Sequence, residues 1–113
     1  MSSGKPLVWL HGAVKTPPFS HAARVEAGFL LRRLQNGEMI DMPASRRMPI
    51  IGTNCHELRI DDGDVTWRIL YHIDSDAVVI LEVFQKKTRT APKQVIETAK
   101  KRLRAYQRVT REE

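Results

Sequence analysis

Between residues 55 and 85 the chain carries three strand-like segments in close succession, and this stretch limits its fold more than any other. The segments Cys55–Asp61, Asp64–Ile73 and Ala77–Gln85 are rich in β-branched, aromatic and other apolar residues. Asp62-Gly63 separates the first two and is a strong two-residue hairpin signal. Asp74-Ser75-Asp76 separates the second and third. Neither gap has room for a crossover helix, so the three strands must form an antiparallel meander.

The flanks supply helices. Residues 6–11 read as a short apolar strand opened by Pro6, and Thr16-Pro17-Pro18 breaks the chain after it. A helix is predicted from Ser20, as N-cap, to Asn36, with Gly37 as its stop. Its stripe is Ala23, Ala27, Leu30, Leu31 and Leu34, and Arg24, Arg32 and Arg33 lie off it. Pro43 and Pro49 punctuate residues 37–54, which read as a loop or short helical turn. A final helix is expected from Pro92 to Arg108, with Val95, Ile96, Ala99, Leu103 and Tyr106 on one side. The order β-α-(loop)-β-β-β-α implies an α+β fold, a small antiparallel sheet with helices packed on one face. At 113 residues this is a single domain with one modest core.

The turns also predict a register. A two-residue turn at Asp62-Gly63 pairs Asp61 with Asp64, which sets Leu58 opposite Trp67 and His56 opposite Ile69 on an apolar face. The other face pairs Arg59 with Thr66 and Glu57 with Arg68. A three-residue turn at 74–76 then sets Tyr71 opposite Val79 and Arg68 opposite Glu82, with His72 on the same polar face. Arg68 is thus expected on the central strand between Glu57 and Glu82. Such a row is either a cross-strand charge ladder, worth about 0.2–1 kcal/mol per pair, or part of a site.

Charge distribution favours a site. Met1–Val83 holds 9 Lys/Arg against 10 Asp/Glu, whereas Phe84–Glu113 holds 10 against 3. An excess gathered in the last quarter suggests a polyanionic partner. Lys86, Lys87 and Arg89 follow the last strand and are placed to rim the face that carries Arg68. Lys100 and Lys101 open a basic run on the final helix that either contacts RNA or is a solvated face. Arginines in this setting can clamp a phosphodiester. Cleaving RNA further requires a base for the ribose 2′-hydroxyl, cations for the phosphorane and an acid for the leaving 5′-oxygen. Glu57 or Glu82 is a candidate base, with Arg68, Arg59 and Lys87 as the clamp. His72 and His56 are candidate acids by ordinary pKa, although His56 falls on the core face.

Other classes are excluded. The longest apolar run, Ala77-Val-Val-Ile-Leu81, is far too short for a membrane span. The N-terminus has no apolar leader, and the lone Cys55 forms no internal disulfide, so a cytoplasmic protein is expected. The four histidines and Cys55 have no paired ligand spacing, so neither a metal nor another cofactor is expected.

His56-Glu-Leu-Arg-Ile60, Trp67-Arg-Ile-Leu-Tyr71 and the stretch from Val79 through Phe84-Gln-Lys-Lys-Thr-Arg-Thr to Pro92, followed by a basic helix, resemble the HigB-type, phage-derived branch of the RelE/ParE toxin superfamily. Pro6-Leu-Val-Trp-Leu10, the helix ending Gln35-Asn-Gly37 and the Pro-rich loop fit the same pattern, so the likeness runs through nearly the whole chain. The resemblance implies a RelE-like fold and a type II toxin that cleaves ribosome-bound mRNA without a metal and touches ribosomal RNA. Its implied partner is a HigA-like helix-turn-helix antitoxin. It assigns the family's sheet cations to Arg59, Arg68 and the pair Lys86-Lys87. This chain departs from RelE in carrying Glu57 and Arg59 where RelE has lysines. It also lacks an aromatic in 88–95, where RelE has a tyrosine that stacks on a base. Arg59 stays protonated and is a poor base, which leaves the proton path to a Glu or His. Phe84 or Trp67 could take over the stacking, although alternation puts Trp67 in the core. Two other readings stay open: a ParE-like or catalytically silent member that inhibits a protein such as DNA gyrase, and a nucleic-acid-binding regulator.

Overall fold

A computed structural model describes residues 4–10, 19–85 and 92–111. The elements are β1 (Leu7–Trp9), α1 (His21–Gln35), β2 (Ser45–Arg47), β3 (Cys55–Asp62), β4 (Val65–Ile73), β5 (Val78–Gln85) and α2 (Lys93–Arg111). They form one five-stranded sheet in the order β1-β5-β4-β3-β2. β2 to β5 pair antiparallel, while β1 pairs parallel with β5, so the sheet is mixed. The α+β class and the central meander agree with expectation. β2 was expected to be loop, because three residues are too few to carry a period.

α1 follows its sequence signals closely. The Ser20 hydroxyl accepts from the Ala23 amide at 3.1 Å, and Gly37 ends the helix at φ +88°. The five predicted stripe residues are its buried ones. They pack on Leu58, Ile60, Ile69, Tyr71, Val78, Ile80 and Val83, with Phe19 set edge-on to Trp67. Asp62 fastens this helix to the hairpin, accepting from the Ser20 amide at 3.0 Å and the Trp67 indole at 3.1 Å.

The helices do not share a face, which corrects the expected arrangement. α2 buries Ile96, Ala99 and Leu103 against Cys55, Leu70, Val79, Leu81 and the Met48–Ile51 segment. Alternation along β4 and β5 places these residues opposite the α1 side. The cause is register. The turn after β4 takes four residues, so Ile73 pairs with Val78 and not Ala77. A slip of one residue exchanges the two faces of a strand. Val78 and Ile80 therefore face α1, while Ala77, Val79 and Leu81 face α2. A bulge between Leu70 and Tyr71 then shifts the pairing again, so that Ile69 meets Val83. The unbroken apolar run Ala77–Leu81 is the mark of a strand covered on both sides.

The β3–β4 hairpin is also two positions out from expectation. The turn residues are Gly63 and Asp64, and Asp62 pairs with Val65. Gly63 has φ +63° at the first turn position, where a type II′ turn carries glycine. An even shift preserves the faces, so Glu57, Arg59 and Arg68 remain on one side as predicted.

Candidate functional site

α2 covers one end of its sheet face with apolar contacts, and the end nearest the β3–β4 turn is polar. Three neighbouring strands supply this end: Arg46 from β2, Glu57 and Arg59 from β3, and Arg68 from β4. Registration fixes their order, because Arg46 pairs with Glu57 and Arg59 with Arg68. Phe84 of β5 stands beside Arg68.

Glu57 organises the cluster. Its side chain is 0% exposed, and its Oε1 accepts from Arg46 Nε at 3.2 Å and Arg68 Nη1 at 3.4 Å. A fully enclosed carboxylate needs such charge-assisted bonds, because desolvating it alone would cost several kcal/mol. The Arg46 side chain is 44% exposed and that of Arg68 only 17%. Arg68 Nε is buried with no hydrogen-bond partner among the described residues. Arg59 extends outward, 3.2 Å from the exposed Asp61, which also accepts from Thr66 at 3.4 Å. The arginines outnumber the carboxylates of the cluster, leaving a local excess of positive charge on an antiparallel surface.

The structure thus brings Glu57, Arg59 and Arg68 together, but three expectations need correction. Glu57 is not paired with Arg68 by backbone register; its strand partner is Leu70, and only the side chains meet. Glu82 does not flank Arg68. It sits across from Leu70 and binds Arg102 of α2 at 3.3 Å, while Arg102 also donates to the Leu81 carbonyl at 2.7 Å. His72 is buried under α2, 3.6 Å from the Cys55 thiol, and burial lowers its pKa below the usual value. It is therefore a neutral core residue with no access to a bound phosphate. His56 lies on the α1 side as predicted, stacked on Tyr71 at 5.2 Å. Burial, with help from Arg47, lowers its pKa too.

Of the remaining candidates, Lys101 is exposed on α2, and Lys100 is half-buried, 3.8 Å from Glu97. Lys86, Lys87 and Arg89 lie outside the described residues. Sequence reasoning missed Arg46, which sits in a short strand without periodicity. It also missed the pairing role of Arg102, whose signal was its place beside Leu103 at the edge of the apolar stripe. Among the described residues, no three His, Cys, Asp or Glu side chains gather as a metal site would. No described helix is long and apolar enough to cross a membrane.

Such an arrangement can hold an anionic oxygen against fixed guanidinium groups, with a buried counter-ion keeping two of them in place. The family model described as phage derived protein Gp49-like (DUF891) matches residues 18–104, a span that includes α1 and the polar cluster. No curated protein matches the chain. Spanning most of the sequence, this match shows that the chain belongs to the phage-derived Gp49-like family, a RelE/ParE-like toxin family of toxin–antitoxin systems.

Proposed function

We propose that the protein is the toxin of a type II toxin–antitoxin system and a HigB-type endoribonuclease that cuts ribosome-bound mRNA. The observation that carries this reading is the enclosed Glu57 holding Arg46 and Arg68 beside the exposed Arg59. In the reaction, the ribose 2′-oxygen bonds to phosphorus, the bond to the 5′-oxygen breaks, and one proton leaves the first oxygen while another joins the second. The doubly charged phosphorane between these events is what fixed cations stabilise best, because they need no reorganisation as charge develops. Arg68 and Arg46 are held ready by Glu57, and Arg59 adds a third guanidinium. Lys86, Lys87 and Arg89 follow β5 directly and would extend the clamp. Glu57 acts here as a positioning residue; with no exposure and two arginines on one oxygen, it is badly placed to take a proton from substrate. The partner is a HigA-like helix-turn-helix antitoxin, and the site of action is the cytoplasm.

Induced expression of the wild type and of Arg68→Ala and Lys87→Ala variants, with mapping of mRNA 5′ ends in translating and translation-blocked cells, tests the proposal. New ends inside codons, dependent on translation and lost in both variants, are the expected result. Growth arrest with intact message and damaged DNA would overturn it in favour of an inhibitor of DNA gyrase. A helix-turn-helix protein encoded beside this one should co-purify with it and abolish the arrest.

A further inference from the structure

The end of the sheet farthest from the β3–β4 turn holds an open hollow of about 390 Å³. That lies within the range of about 300–1,000 Å³ usual for small-molecule sites. Met39, Pro49 and Ile73 give its wall an apolar character, and Arg47, Asn54 and His56 supply polar groups. Met39, His56 and Ile73 also line a narrower hollow of about 50 Å³ that reaches the end of α1 at Leu34. Among the described residues lining the two, only Glu38 is acidic, and it meets Arg33 at 3.0 Å.

Register sets the polar wall. Arg47 of β2 and His56 of β3 are strand partners. The Met48 amide donates to the Cys55 carbonyl at 2.8 Å, so Arg47 and His56 form the neighbouring non-hydrogen-bonded pair, in which side chains lie closest. They adjoin Arg46 and Glu57 in sequence, and alternation turns them to the opposite face of the sheet. Burial first, and then the nearby Arg47, lower the His56 pKa, so its ring is neutral at pH 7 and offers hydrogen bonds without charge. Arg47 is exposed and has no carboxylate partner among the described residues. Lys5 and Glu38 balance each other in the narrow part, so the Arg47 guanidinium sets the net charge of the whole space. Asn54 stands on the wall at φ +58°, a left-handed backbone that asparagine tolerates, and its carbonyl accepts from the Ile73 amide at 2.9 Å.

One cation beside an apolar hollow matches a monoanion with a hydrocarbon body. A phosphate monoester carries nearly two negative charges at neutral pH and would be left half-neutralised. A nucleic-acid backbone needs several cations in a row, and this space offers one. We infer that the hollow binds a small free monocarboxylic acid with an aromatic or branched apolar body. Its carboxylate pairs with Arg47 in the two-bond geometry that a guanidinium favours, and its body lies against Met39 and Ile73. The flexible thioether of the exposed Met39 lets that wall adapt to the body. The site uses no residue of the Glu57 cluster and stands whether or not the protein cleaves RNA.

Titration of the isotope-labelled full-length protein with para-fluorophenylacetate, followed by fluorine and amide NMR, tests the inference. A ligand of about a dozen heavy atoms should bind with a dissociation constant on the order of 1 mM, and the amide shifts should gather at Asn54, His56 and Ile73. The uncharged para-fluorophenylacetamide should bind about tenfold more weakly or worse, and so should the acid to Arg47→Gln, an exposed change that leaves the melting temperature unaltered. Acetate, which has the charge without the body, should bind no better than the amide. Arg47→Lys keeps the charge but not the two-bond geometry and should fall between the wild type and Arg47→Gln. Equal binding of acid and amide, equal binding by wild type and Arg47→Gln, or no shift at the highest soluble acid concentration would overturn the inference. So would tighter binding of para-fluorophenyl phosphate, which would make the hollow a phosphate site, or of a capped peptide carrying one glutamate, which would make it a protein contact.

Discussion

Replacing Glu57 with glutamine tests whether a buried charge holds the polar cluster together. Glutamine keeps the size and one carbonyl oxygen, so it can still accept from one arginine, but it removes the counter-charge. Arg46, 44% exposed, can return to water cheaply, whereas Arg68, 17% exposed, stays enclosed with its charge uncompensated. Removing one partner of a fully buried ion pair costs about 3–5 kcal/mol. The residual exposure of Arg68 and the surviving carbonyl reduce this to about 2–3 kcal/mol. For 113 residues, the usual unfolding entropy makes 1 kcal/mol worth about 4 °C. Differential scanning calorimetry should therefore show the melting temperature lowered by about 8–12 °C. Asp61→Asn is the reference, since Asp61 and Arg59 are both well exposed and such a pair is worth under about 1 kcal/mol. A shift for Glu57→Gln no larger than that for Asp61→Asn would refute the argument that Glu57 is an essential counter-ion.

Three further outcomes follow from the buried polar groups. Burial pushes the Cys55 thiol up to about 11, so the native protein should resist alkylation at mildly alkaline pH and react only on unfolding; rapid labelling of the folded chain would contradict the placement of Cys55 under α2. Burial likewise lowers the pKa of His72 from the usual 6.5, so the folded state binds fewer protons than the unfolded chain. The stability this contributes is present above about pH 6.5 and is lost as the pH falls through the folded value, so the urea midpoint should drop on acidification, and His72→Gln should flatten the drop. The Tyr71 hydroxyl lies 2.6 Å from that of Ser45, both buried, so Tyr71→Phe should cost about 1–2 kcal/mol in denaturant unfolding, and a neutral result would show that Ser45 finds another partner.

Local signals carried much of this fold. The N-cap Ser20, the stop at Gly37 and the stripe between them define α1 because each acts within a few residues. The meander was equally plain, since its turns leave no other way to pair the strands. Register was harder to read. Asp62-Gly63 marks a hairpin in sequence, but whether Asp61 or Asp62 closes it depends on Asp62 also meeting Ser20, which lies 42 residues away in the chain. Arg46 was invisible for a similar reason: β2 exists only because β3 offers it an edge.

The sequence by itself determined the α+β class, the face shared by Glu57, Arg59 and Arg68, and the concentration of positive charge after Phe84. Alternation and composition are properties of the chain that survive a shift of register by two. Only the tertiary structure decided which side chains meet. A four-residue turn exchanges the faces of β5 as far as Leu81, sending Val79 and Leu81 to α2 on the side opposite α1, and the bulge restores the faces beyond it, so that Val83 again faces α1. The net shift of two beyond the bulge moves Glu82 from Arg68 to a place opposite Leu70, where it meets Arg102. Packing chose this pairing because β5, apolar at every position from Val78 to Leu81, must be covered on both sides, and two helices on one face would leave half of it in water.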